Sequence, residues 1–164
     1  MLLVGADLAQ FPGSLGGSEY LAVVHGMEAG PIDVDLKTEA ALIEFLVDAA
    51  DDGLLCSAHD VSVGGLAVAI AECAIANGIG IKGALGELGS RIDAALFGEA
   101  GNRAVISVEK GKLAAVDTLA ASKGLPLIEL GLSGGDRIRL GSSLDLPIDQ
   151  METVYREALP SIMD

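Results

Sequence analysis

Short apolar runs alternate with segments of helical periodicity along most of the chain. Leu2–Val4 is an apolar run of strand type, and the glycine-rich stretch Asp7–Gly17, which contains Phe11-Pro12, is a loop. Ser18 is a helix-capping residue type and starts a helix over Glu19–His25. After a break at Pro31–Asp35, apolar residues at Leu36, Ala40, Ile43, Leu46, Val47 and Ala50 recur at helical spacing, and Gly53 ends that helix. Leu54–Ala58 is apolar and too short for a helix, so it is a buried strand, followed by a turn over His59–Gly65. Leu66–Ala76 is a helix rich in small residues, terminated by Asn77-Gly78.

The second half continues the alternation. Ile79–Leu85 predicts a strand and Asp93–Leu96 a short helix. Arg103–Glu109 alternates, with Ala104, Ile106 and Val108 on one face and Val105 and Ser107 on the other. Lys112–Lys123 carries Leu113, Val116, Leu119 and Ala120 at helical positions. Leu125–Leu130 follows as a strand, Ser133–Asp136 as a turn, Ile138–Leu140 as the last strand, and Asp149–Leu159 as a C-terminal helix. Interleaved strands and helices predict α/β or α+β layering. The short turn between the last two strands leaves purely parallel winding unsecured.

Composition narrows the class. The length of 164 residues suits one domain with a real core. Aromatics are 3% of the chain, so that core is built from Ala, Leu, Ile and Val, and 22 glycines imply many tight turns. Mean hydropathy is high at +0.51. Yet no apolar run approaches the roughly 18 residues needed to cross a bilayer, and the longest, Leu66–Ile81, is broken by Glu72, Asn77 and two glycines. The start of the chain lacks the basic residues and long apolar stretch of a signal peptide. Cys56 and Cys73 have no CxxC spacing and read as buried free thiols of a reducing compartment, which makes the cytoplasm the expected location. The net charge of −14 favours solubility and argues against a nucleic-acid partner. It also opposes an anionic substrate unless local donors overcome it.

Three constellations carry candidate chemistry. In Gly13-Ser14-Leu15-Gly16-Gly17-Ser18-Glu19-Tyr20, glycines feed a helix start, where backbone N–H groups can hold a phosphate. Ser18 either caps that helix or bonds the anion, and the Walker lysine is missing. In Ser57–Leu66, a strand ends in polar residues before a Gly64-Gly65 turn that opens a helix. His59 and Asp60 sit where open α/β sheets place ligands, or else they brace the turn. In Leu96–Arg103, Glu99 and Arg103 flank a glycine and either form a surface ion pair or face a partner. Two histidines without ligand spacing do not make a zinc site, Asp60 and Glu99 alone do not establish magnesium, and no G-x-S-x-G is present. No catalytic residue and no metal ligand is assigned.

These same segments carry a resemblance. Leu15–Leu21, Ser57–Glu72 and Leu96–Val108, with the closing Gly131-x-x-x-x-Asp136-Arg137-Ile138-Arg139, look like successive signatures of the last domain of the small-type phosphoribosylformylglycinamidine synthases. The resemblance runs from Leu2 to Leu140, with the Ser57–Glu72 motif the most specific. Val63 stands where an acidic or polar residue is common in that family, and Gly98 where serine is frequent. Aminoimidazole ribonucleotide synthetases, selenophosphate synthetases and hydrogenase-maturation proteins share the superfamily fold and the Gly-Gly turn, while the Gly-Gly-Ser-Glu-Tyr loop favours the amidine-forming ligase.

The resemblance implies a three-layer α/β/α domain beside an N-terminal domain that bears most of the ATP, Mg²⁺ and catalytic residues. It implies that ATP activates the amide oxygen of formylglycinamide ribonucleotide and that ammonia displaces phosphate to give the amidine. The ammonia comes from a glutaminase partner that works with a small carrier subunit. Residues 1–164 are then one C-terminal domain, either excised or a split half, inactive alone and holding neither ATP nor Mg²⁺ by itself. Gly16, Gly17, Ser18, His59, Asp60, Gly64 and Gly65 are its candidate phosphate and substrate contacts, and Glu99 and Arg103 its candidate partner surface. Other readings are a non-catalytic scaffold or dimerisation domain, including a homodimer, or a domain of a selenophosphate or aminoimidazole ribonucleotide synthetase.

Overall fold

In a four-residue strand, alternate side chains point to opposite faces, so Leu2 and Val4 must bury on one side and Leu3 on the other. That strand, β1 (Leu2–Gly5), lies inside a four-stranded sheet of the computed structural model, which describes residues 1–6, 15–31, 35–84 and 91–163. Its neighbours are β4 (Arg103–Val108), with Leu3 opposite Val105, and β5 (Leu127–Glu129), with Leu3 opposite Ile128. The strand β2 (Leu55–Asp60) pairs with the far side of β4, giving the order β2-β4-β1-β5 with every pairing antiparallel.

One face of this sheet carries Leu2, Val4, Ala104 and Ile106. It packs on the helices α2 (Leu36–Asp51) and α5 (Leu113–Ser122) through Leu42, Phe45, Ala49, Val116 and Ala120. The other face carries Leu3 and Val105, which meet α3 (Gly65–Asn77) and α4 (Ile92–Phe97). A second four-stranded sheet joins that core. Its strands are β3 (Ile81–Gly83), β6 (Gly131–Ser133), β7 (Arg137–Leu140) and β8 (Leu144–Pro147), in the order β6-β3-β7-β8. Only β3 and β7 run parallel. Remaining helices are α1 (Glu19–His25), α6 (Ile148–Glu157) and α7 (Pro160–Met163). The α/β class and its layering are thus present, with a second sheet woven into one outer layer.

Four expectations change. Ile138–Leu140 is not the last strand, because β8 follows it, and Gly131–Ser133 pairs as β6. Strands of three or four residues are too short to show a period. Leu54–Ala58 is not a buried strand: β2 is a sheet edge, with Cys56, Ser57 and Ala58 exposed. The two cysteines are free thiols, but Cys56 is exposed and Cys73 half-buried, so neither is a core residue. The predicted strand Ile79–Leu85 contracts to Ile81–Gly83, and its last residue lies outside the described ones.

Helix α2 is apolar on two sides. Asp35 caps it, accepting from the Lys37 and Thr38 backbone N–H groups and from the Thr38 hydroxyl. Those bonds, the hydroxyl first, hold the Asp35 carboxyl below its ordinary range. Leu42, Phe45 and Ala49 face the sheet. Most of the stripe that announced the helix in the sequence points outward, with Leu36 76%, Ile43 54% and Val47 53% exposed, while Leu46 packs on the core.

Candidate functional site

The three sequence constellations converge on Glu99. Its Oε1 accepts from the Gly64 N–H at 2.8 Å and from the Glu19 N–H at 2.9 Å. One carboxylate oxygen therefore closes both glycine loops, at the cap of α3 and the first residue of α1, where helix ends present unpaired donors and positive potential. These are charge-assisted bonds, the stronger kind. Two further contacts tie the same segments. Tyr20 stacks on Phe97 with ring centroids 4.9 Å apart and planes 6° from parallel. Gly65 lies so close to the backbone of Leu96, Phe97 and Gly98 that a Cβ there would sit 2.8 Å from two carbonyl oxygens. With φ of 82° and 70°, Gly64 and Gly65 both occupy the left-handed region, which L side chains avoid.

Arg103 holds Glu99 from behind. It is only 2% exposed. Its Nη2 donates to the carbonyls of Gly98 (2.7 Å) and Ala100 (2.9 Å), the residues on either side of Glu99, and its Nε donates to Ala100. Desolvation lowers its pKa to about 10, so it stays charged at neutral pH. Its Nη1 has no partner among the described residues. Beside it, Asn102 sits at φ 66° and its side-chain amide donates to the Asp35 carbonyl, linking this loop to the cap of α2.

These contacts correct the expected roles. Arg103 is not on a surface, and Glu99 and Arg103 do not pair with one another: one binds backbone N–H groups and the other backbone carbonyls. Ser18 is 1% exposed, its hydroxyl donating to Leu15 O at 2.7 Å and accepting from Leu21 N at 3.3 Å, so it caps α1 and has no donor left for an anion. Gly16 and Gly17 form the turn into that cap, with Gly16 packed on the backbone of Gly30 and Pro31. Gly13 and Ser14 lie outside the described residues.

His59 and Asp60, at the end of β2 opposite Val105 and Ala104, do not bond Glu99. Because a carbonyl only accepts, the contact of His59 Nδ1 with Asp60 O at 2.7 Å places a proton on Nδ1. Nε2 faces Glu72 Oε2 at 3.4 Å. His59, Glu72, Cys73, Tyr155 and Arg156 line a cleft of about 430 Å³ between β2, α3 and α6. Burial, then the Glu72 charge, pushes the Cys73 thiol upward, which makes it a poor nucleophile. The Asp60 carboxylate is 78% exposed and 3.8 Å from His59 Nδ1. The sheet is antiparallel here, so the rule placing ligands at the carboxyl ends of parallel strands has no purchase on His59 and Asp60.

Among the described residues no three His, Cys, Asp or Glu side chains converge on one point. Two helix-end donors that a phosphate would use are already taken by Glu99. No helix among the described residues is long and apolar enough to cross a membrane. Sequence reasoning missed the Glu99 bridge, although an acid set between Gly98 and Gly101, four residues before an arginine, was its visible signal.

Residues 2–140 match the family of the AIR synthase related protein, C-terminal domain, and the chain belongs to that family. The particular proteins it is similar to include phosphoribosylformylglycinamidine synthase PurL subunits. The PurL of an Anaeromyxobacter species is 40% identical over 161 residues, covering 92% of this chain and 21% of that protein. The chain thus spans about a fifth of the length of the curated relatives it matches. Among solved structures, Thermotoga maritima PurL complexed with FGAR aligns with a TM-score of 0.71 at 18% identity, over 92% of this chain and 27% of that one. The PurLQS structure from the same organism aligns at 0.70 and 16%, over 92% and 25%. The same PurL has also been solved with ATP.

Proposed function

We propose that this chain is the C-terminal domain of a phosphoribosylformylglycinamidine synthase, a cytoplasmic amidine-forming ligase that acts only with its remaining parts. In this reading ATP, formylglycinamide ribonucleotide and ammonia give the amidine, ADP and phosphate. The domain supplies the ribonucleotide-side wall of the cleft, and an N-terminal domain holds ATP and Mg²⁺. A single observation carries this: the three segments that resemble the synthase, far apart in sequence, close on one carboxylate, Glu99. The PurL identity of 40% over nearly the whole chain supports the same assignment.

The outward stripe of α2 supports the partner side of the reading. Leu36, Ile43 and Val47 form an exposed apolar row, and the occupant we assign to it is the remainder of the synthase polypeptide, since the relatives are about five times as long. Glutaminase and small carrier subunits complete the assembly, in line with the PurLQS composition of the Thermotoga relative. The test mixes this chain with the separately produced remainder of the synthase and follows phosphate release that depends on ATP, ribonucleotide and ammonia. Activity is expected only in the mixture. Co-elution of the two parts without activity would replace the ligase reading with that of a scaffold, in which a homodimer is the competing occupant of α2.

A further inference from the structure

We infer that Glu99 is a positioning residue, which sets the spacing of the two glycine loops through a single oxygen and is itself locked by buried Arg103. The inference rests on the ligase reading for its consequence in turnover, but its geometry stands alone. Two N–H groups from segments 45 residues apart meet Oε1 within 2.9 Å, so the gap between the start of α1 and the cap of α3 is fixed by the reach of this one side chain.

A competing account has Glu99 as a stand-in that a substrate phosphate pushes aside, because a carboxylate at a helix start occupies the place of an anion. The surroundings favour a fixed brace. Arg103 clamps the carbonyls of Gly98 and Ala100, on both sides of Glu99, and is itself almost wholly buried. Gly65 is wedged against the backbone of Leu96–Gly98, and Phe97 is stacked on Tyr20. A group that swings out on each turnover would need a backbone free to follow it, and this backbone is held at four points. In this arrangement the Leu21 N–H bonds the Ser18 hydroxyl and the Gly65 N–H the Ser62 carbonyl, and Glu99 decides how far apart the two helix starts stand.

Length matters more than charge for such a brace, which gives the test its design. Glu99→Gln keeps the reach and an accepting oxygen, whereas Glu99→Asp keeps the charge and is one methylene too short to meet both loops. Hydrogen exchange by NMR on this chain reads the bridge directly. E99D is expected to speed exchange about tenfold at both the Gly64 and Glu19 amides, the size of one lost bond to a charged acceptor, and E99Q by no more than about threefold. Steady-state kinetics of the full-length synthase then read the consequence. E99D should raise KM for the ribonucleotide about tenfold with KM for ATP unchanged, and E99Q should restore most of it.

Faster exchange in one loop alone would overturn the bridge. A lower ribonucleotide KM in E99D or E99Q would overturn the brace in favour of displacement by phosphate. A fall in kcat with both KM values unchanged would reduce Glu99 to a folding role. If full-length wild-type enzyme shows no ribonucleotide-dependent turnover while exchange behaves as expected, the ligase reading fails and the bridge remains.

Discussion

Gly65→Ala tests the node at its tightest point. The residue has φ 70°, and an added Cβ would lie 2.8 Å from the carbonyl oxygens of Leu96 and Gly98 and from the carbonyl carbon of Phe97. Two costs combine. A left-handed conformation at a residue with a Cβ costs about 1–2 kcal/mol. Contact with backbone atoms that cannot rotate away adds overpacking of about 1–3 kcal/mol. The loss of unfolded-state freedom returns about 0.4–1 kcal/mol, so the net destabilisation is about 3 kcal/mol.

Gly78, the left-handed cap at the other end of α3, separates the two costs. It has φ 62° with nothing within 4 Å of its Cβ position, so Gly78→Ala carries only the conformational cost, about 1 kcal/mol net. The chain has no tryptophan, so urea unfolding is followed by far-ultraviolet circular dichroism. With a slope of about 2 kcal/mol per molar urea, the midpoint falls by about 1.5 M for G65A and about 0.5 M for G78A. Equal shifts would refute the argument, because they would mean that the loop Leu96–Gly98 moves aside freely and does not wedge the Gly-Gly turn.

Three other outcomes follow from the same geometry. On α2, Ile43→Glu and Val47→Glu should leave the unfolding free energy within about 0.5 kcal/mol of wild type while, under the ligase reading, abolishing association with the rest of the synthase in sedimentation velocity. Phe45→Ala, on the buried face of the same helix, should cost about 3–5 kcal/mol in the same urea titration. Asp145 is held below its ordinary range first by its bond from Arg137 and then by that from Arg139. A carboxylate with a depressed folded pKa contributes stability above its unfolded value of 3.8 and loses that contribution as pH falls through the folded value. Asp145→Asn should therefore lower the urea midpoint slightly at neutral pH and flatten the acid side of its plot against pH, the two curves converging as pH falls below about 4.

How much was legible in the sequence depended on where the information lay. The helix at Glu19–His25 was readable from Ser18, because a cap is a local event between neighbouring residues. The strand at Arg103 was readable from its two faces, Ala104 and Ile106 on one and Val105 on the other, which pack into the two core clusters. In α2 the period was right, but most of the residues that displayed it face outward, because a helix with two apolar sides shows one period and two directions. Strands β6 and β8 were invisible for want of length. The glycine loops were recognisable as helix starts, but no local pattern reports that Glu99 reaches both of them, since that contact spans 80 residues on one side and 35 on the other. The burial of Arg103 was hidden for the same reason, as its partners are carbonyls, which every residue has.

The placement of charge bears on why one domain alone would not suffice. Under the ligase reading, a chain of net charge −14 beside a phosphorylated substrate must gather positive potential locally. Yet six of its ten lysines and arginines are in ion pairs among the described residues: Arg91, Lys112, Lys123, Arg137, Arg139 and Arg156. A seventh, Arg103, is buried on carbonyls. The loops themselves carry backbone donors and a carboxylate, a combination that orients a ligand but does little to neutralise it. Under the ligase reading, the cations and the metal that offset the phosphates therefore come from the domain packed opposite, and this domain contributes shape: two loops held at a fixed distance by Glu99.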